Sequence, residues 1–152
     1  MRILRTLSIL FYLLTISFWG FSTESQEKGI NDTLIVRQID SIISTIKESK
    51  IGKKISAPKY SENYHFSKND NKVYLVAFYE SNDVQSVTLY YFLEAELSKV
   101  IYMERKRKAS ENVYYFSNGK LIYRKEANDI QSQEADKLLT KAQYFKLKIL
   151  QF

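Results

Sequence analysis

His65 is the only histidine in the 152-residue chain and cysteine is absent, so the side chains that most often carry acid–base, thiol and transition-metal chemistry are nearly missing. A Ser-His-Asp triad or a His-rich metal site needs partners that this sequence does not supply. The setting Tyr64-His65-Phe66 places His65 on a strand, facing solvent while its neighbours face inward. Carboxylates are plentiful, seventeen in all, but scattered. Asp70, Glu80 and Asp83 fall in or beside turns without the spacing of a calcium loop, and Glu94 and Glu96 flank a hairpin bend. Two carboxylates close in space are all that a glycosidase requires, which keeps carboxylate-based hydrolysis open as an alternative. No dinucleotide fingerprint, P-loop or nucleophile elbow occurs. The expectation is therefore no catalytic residue, no metal and no cofactor.

What remains is binding chemistry. Arg105-Lys106-Arg107-Lys108 is the densest basic run, placed where one strand turns toward the next. Its plain role is solvated turn charge; contact with an anionic envelope surface or an acidic partner is the functional one. Tyrosines crowd the strand-like segments: Tyr74, Tyr79, Tyr90, Tyr91, Tyr102, Tyr114, Tyr115 and Tyr123. Tyrosine combines apolar area with a hydroxyl, which suits half-exposed sheet faces and interfaces as well as packing between strands. The candidate binding residues are Tyr90, Tyr102, Tyr114 and Tyr123 on the sheet, with Arg105, Lys106, Arg107 and Lys108 at its end. An RNA-binding sheet is not indicated, because neither its aromatic motif nor its helix order is present.

The elements that must position these residues follow from periodicity. Ile35, Ile39, Ile42, Ile43 and Ile46 recur at helical spacing, predicting an amphipathic helix from about Asp32 to Lys50 that docks on a sheet. Asn31 or Asp32 is the expected cap, and Gly52 the expected C-terminal stop. The period then changes to two. Tyr60–Phe66 is a weaker strand, with Pro58 before it suggesting an edge. Lys72–Glu80, Gln85–Leu93, Leu97–Lys106, Glu111–Ser117 and Lys120–Glu126 are strong ones, each bounded by polar turn residues. Connections this short allow only antiparallel neighbours, hence a meander. Asn118-Gly119 predicts a type I′ turn that sets Phe116 opposite Leu121, Tyr115 opposite Ile122, Tyr114 opposite Tyr123 and Val113 opposite Arg124. Ala135, Leu138, Leu139, Ala142 and Phe145 make the stripe of a second helix, about Ile130–Leu147, with Asn128 and Gln131 as a capping box. The fold class is α+β: an antiparallel meander of four to six strands between an N-terminal and a C-terminal amphipathic helix. With both helices on one face, the other face would present tyrosines as an open patch; with the helices sandwiching the sheet, no such patch remains and the tyrosines are core.

The first 22 residues carry Arg2 and Arg5, an apolar run from Leu7 to Phe21 and small residues at Gly20 and Ser22, the pattern of a secretory signal peptide cleaved before Thr23. The apolar run is shorter than the roughly 20 residues that span a bilayer, so an uncleaved membrane anchor is the alternative. Residues 23–29 read as a flexible lead-in and 30–152 as one domain. The formal charge of +6, reduced by loss of the leader's two arginines, is mildly basic and no polyanion-binding signature.

The hairpin Tyr114-Tyr115-Phe116-Ser117-Asn118-Gly119-Lys120-Leu121-Ile122, before a C-terminal helix and behind a leader and an N-terminal helix, resembles the small exported α+β proteins common in Bacteroidota. Their sheets are similar at fold level to PepSY-like and β-lactamase-inhibitor-like domains. The resemblance implies the fold and carries over no activity or site residue; the disulfides of secreted inhibitor domains have no counterpart here. The sequence thus leads to an exported, non-enzymatic binding or interaction module, in the periplasm, on the outer surface or secreted. Its partner would be an envelope or extracellular protein or a small ligand, with weak anionic-surface contact and no nucleic acid. A small cell-envelope hydrolase is the alternative.

Overall fold

The computed structural model describes residues 29, 31–48, 52–80, 86–104, 111–127 and 133–152. The leader, the Asn128–Gln131 capping box and the basic run Arg105–Lys108 lie outside the described residues. The chain divides between Ile35 and Val36 into two compact units. In the first, Gly29 is already helical and accepts a hydrogen bond from the Thr33 hydroxyl. Asn31 and Asp32 therefore sit inside the first helix, α1 (31–45), rather than capping it. The second unit holds residues 36–45 of α1, the sheet and the C-terminal helix α2 (Ala135–Ile149).

The sheet is an antiparallel meander of seven strands in chain order: β1 (Lys53–Ala57), β2 (Tyr60–Phe66), β3 (Val73–Glu80), β4 (Ser86–Leu93), β5 (Glu96–Glu104), β6 (Glu111–Ser117) and β7 (Lys120–Lys125). One strand more than the upper expectation arises from β1, whose Lys-Lys-Ile-Ser-Ala sequence has little strand character of its own. It is held by its hairpin with β2, Ala57 facing Tyr60 across the Pro58-Lys59 turn. The edge therefore passes from β2 to β1. Lysines on β1 and β7 blunt the two open edges against further pairing. Gly52 does not stop α1, which ends at 45; a Cβ there would lie 3.1 Å from the Tyr64 carbonyl, so close approach to β2 is what favours glycine.

Turn chemistry sets most of the registers. Asn118 and Gly119 have φ of 50° and 69°, the type I′ pattern read from the sequence. A bulge between Tyr115 and Phe116 then shifts the hairpin. Phe116 still faces Leu121, but Tyr115 faces Tyr123, Tyr114 faces Arg124 and Val113 faces Lys125, so Tyr114 and Tyr123 lie on opposite faces. The β4–β5 turn repeats the positive-φ pair with Glu94 at 51° and Ala95 at 64°, residue types that give no such signal. Between β2 and β3, Asn71 takes φ of 55°, the Asp70 carboxylate accepts the Lys72 N–H and the Ser67 hydroxyl accepts the Asn69 N–H.

Two rows of side chains organise the core. Tyr64, Val76, Tyr90, Val100 and Tyr114 stand opposite one another across β2–β6, all buried, and α2 seats Leu138, Ala142 and Phe145 on that face. Phe145 meets the rings of Tyr64, Tyr90 and Phe78 at 6.4, 5.0 and 6.0 Å. The reverse face carries the row His65, Leu75, Tyr91, Lys99, Tyr115 and Tyr123. Here α1 docks: Ile39 is buried, and Asp40 reaches Lys99 at 2.7 Å and the Tyr115 hydroxyl at 2.8 Å. The helices thus sandwich the sheet. Of the eight strand tyrosines only Tyr123 is exposed, at 46%, and the open tyrosine face expected from helices on one side does not form.

Candidate functional site

Each helix is fastened by a carboxylate, a lysine and tyrosine. On the α2 side Glu62 is fully buried between Ile55 and Phe78 of the neighbouring strands. Its carboxylate accepts hydrogen bonds from the Tyr64 hydroxyl (2.7 Å), the Tyr144 hydroxyl (3.1 Å) and the Lys148 ammonium (2.9 Å). Burial, then the hydrogen bond to Glu62, pushes the Tyr64 phenol far above its ordinary range. For Lys148 burial works against the charge, but Tyr144 and Glu62 prevail and hold it raised. On the α1 side Lys99 is likewise raised against the effect of burial, by hydrogen bonds to Asp40 and Tyr115. Both clusters tie a helix to the sheet through charge-assisted hydrogen bonds.

His65 lies on the face opposite Tyr64, and its Nδ1 pairs with the Glu48 carboxylate just beyond α1. A second group there would be needed for a triad or a metal, and among the described residues no cluster of three His, Asp or Glu side chains could hold a metal ion. The scattered acids stay scattered. Among the described residues Glu80 ends β3, Glu96 pairs with Lys146 and Glu126 lies near Arg124.

The α2 face carries a concave site among the described residues. The row next to the core row runs Glu62, Phe78, Thr88, Tyr102 and Asn112 across β2–β6. Its central members, Phe78, Thr88 and Tyr102, form the floor of a cleft of about 390 Å³. Tyr90 borders the floor on the core side, Glu80 and Ser86 on the side of the strand ends, and Gln133, Lys137, Leu138 and Lys141 make the wall. The cleft exists because α2 covers the core row but leaves the next row partly open beside its first turns. Its volume lies in the range of small-molecule sites.

The lining is amphipathic. Phe78, Tyr90 and Leu138 supply apolar surface. Burial, and after it the Glu80 carboxylate, pushes the Tyr90 phenol well above its ordinary value, so it stays a neutral donor at physiological pH. The Tyr102 hydroxyl donates to Glu104 at 3.3 Å. The Lys141 ammonium rests 4.0 Å from the centre of the Phe78 ring, with Tyr144 and Phe145 rings at 5.0 and 5.5 Å. Lys137 pairs with Glu134 at 3.1 Å on the exposed side.

Of the residues named from sequence, Tyr90 and Tyr102 are brought together in this cleft. Tyr114 is not. It is buried beneath the start of α2, where its hydroxyl accepts the Gln133 N–H at 2.8 Å and donates to Glu126 at 3.3 Å. Tyr123 lies on the reverse face against Tyr115, ring centres 5.8 Å apart. Sequence reasoning missed Phe78, Glu80, Ser86, Thr88, Lys137 and Lys141. Strand parity combined with the meander order puts Phe78, Thr88, Tyr90 and Tyr102 on one face, and that signal was available; where α2 would lie across them was not. No protein-family model, curated protein or solved structure matches the chain. Among the described residues no helix is long and apolar enough to cross a membrane.

Proposed function

We propose that this chain is an exported, non-enzymatic binding module, and that its aromatic sheet residues act in the cleft beside α2 rather than on an open face. The observation that carries this reading is the row Phe78–Thr88–Tyr102, an aromatic and hydroxyl-bearing floor left partly uncovered beside α2. A concave site with apolar walls and a few polar groups is what small-ligand recognition uses. The ligand is small, because Tyr90 and Tyr102 face a cleft while Tyr114 is sealed into the core. Among the described residues of the lining Glu80 is the single acid, which favours binding over carboxylate-pair hydrolysis.

The test is a thermal-shift screen of a small-molecule library against the purified protein and against Thr88→Trp, which fills the floor. Compounds that raise the melting temperature of the unaltered protein and not of Thr88→Trp support the cleft. Compounds that stabilise both equally place binding elsewhere and refute it.

A further inference from the structure

The charges around the cleft are not symmetric, and their arrangement narrows the ligand. Resting on the cleft as the binding site, we propose that it takes a small organic anion with a flat apolar body, an arylalkyl carboxylate in class, with the carboxylate at Lys141 and Lys137 and the ring over Phe78 and Tyr90.

Lys137 and Lys141 are one helical turn apart, so both ammonium groups come from the same side of α2. Lys141 is half-buried among aromatic rings and has no carboxylate within ion-pair distance among the described residues. Rings hold that cation in place without neutralising it. An incoming carboxylate therefore gains a charge-assisted hydrogen bond from a donor already positioned, in surroundings drier than open water. Lys137 has a partner in Glu134, but an exposed pair of this kind is weak and exchanges readily.

The sheet side differs. Among the described residues Glu80 is the one acid of the lining; it stands at the end of β3, on the sheet side of the cleft, while the lysines stand on the α2 wall. An anion is thereby oriented with its charge toward α2. Ser86 and Thr88 hydroxyls, which make no side-chain hydrogen bond among the described residues, are left to meet a polar substituent on the ring. A neutral ligand would leave Lys141 without compensation, and a cation would be repelled by both lysines.

Titration calorimetry with 4-hydroxyphenylacetate and with its neutral primary amide separates these cases. The acid is expected to bind about tenfold or more tightly than the amide, with a preference that shrinks at high salt. Lys141→Gln should remove that preference, leaving acid and amide alike, and Tyr123→Ala, outside the cleft, should preserve it. If Lys141→Gln fails to fold, Lys137→Gln and the salt dependence of the unaltered protein carry the same comparison. Equal or tighter binding of the amide, or a preference that survives Lys141→Gln, overturns the anion class. Failure of both probes to bind overturns it as well. In each of those outcomes the cleft itself still stands if another compound loses binding in Thr88→Trp, so the two readings fail separately.

Discussion

Replacing Glu62 by leucine tests how α2 is held over the sheet. The substitution keeps apolar bulk in a fully buried position and removes the acceptor of three donors. The Tyr64 hydroxyl suffers most, since that residue is 1% exposed and cannot turn to water; an orphaned buried donor costs about 1–3 kcal/mol. Tyr144 and Lys148 lie nearer the surface and recover solvent on rotation, so each adds roughly 0.5–1 kcal/mol. Relief of the desolvation of Glu62 itself offsets part of this, leaving a net loss of about 3 kcal/mol. With a urea dependence of roughly 1.5 kcal/mol per molar, the unfolding midpoint should fall by about 2 M at unchanged slope. Circular dichroism at a helix band reads the transition. Adding Tyr64→Phe and Lys148→Met to Glu62→Leu removes two of the stranded donors and should restore most of the loss. A single-variant loss below about 1 kcal/mol, or a triple variant no better than the single one, would refute the fastening role.

Four further outcomes follow. Ala95→Gly, at φ of 64° in the β4–β5 turn, should raise stability by about 0.5–1 kcal/mol in the same urea assay, because alanine is strained there. Gly119→Ala should lower it by about 1 kcal/mol from backbone strain alone, since a Cβ at that position meets nothing within 4 Å. Asp40→Ala should increase amide hydrogen exchange across residues 36–45 while leaving α2 protected, as only the α1 fastener is cut. The phenols of Tyr64 and Tyr90 are raised in the folded state, so below about pH 10 their contribution is fully present. Above it the unfolded chain ionises first, and stability should fall by up to about 1.4 kcal/mol per pH unit for each phenol until the folded values are passed. Tyrosinate absorbance at alkaline pH should show these two groups titrating only as the protein unfolds.

The meander was legible because its turns speak locally. Asn69-Asp70-Asn71 and Asn118-Gly119 each combine turn residues with a positive φ, and β6 runs from Glu111 to Ser117 as read. Glu94-Ala95 makes the same kind of turn with residues that give no such cue, so there the strand boundaries, not the turn, were the guide. β1 was missed because Lys53, Lys54 and Ser56 leave only Ile55 and Ala57 to mark its inward face; pairing with β2 supplies what propensity does not. The bulge at Tyr115 and Phe116 moved Tyr123 to the reverse face, and nothing in the composition of that hairpin marks it. Tyr90 and Tyr102, singled out by residue type and strand position, line the cleft. Tyr114 shares both features and is core instead, because α2 begins directly over it, a long-range placement that strand periodicity does not encode.

Ligand entry into the cleft beside the first turns of α2 is the proposal on which the functional reading rests. Amide chemical-shift mapping on the isotope-labelled protein during titration with a compound from the thermal-shift screen tests it most directly. The shifts should centre on Phe78, Thr88, Tyr90, Tyr102, Lys137 and Lys141, with Tyr123 unmoved. Shifts centred instead on Tyr123 and β7, or on the exposed Leu147 and Leu150 at the far end of α2, would contradict it.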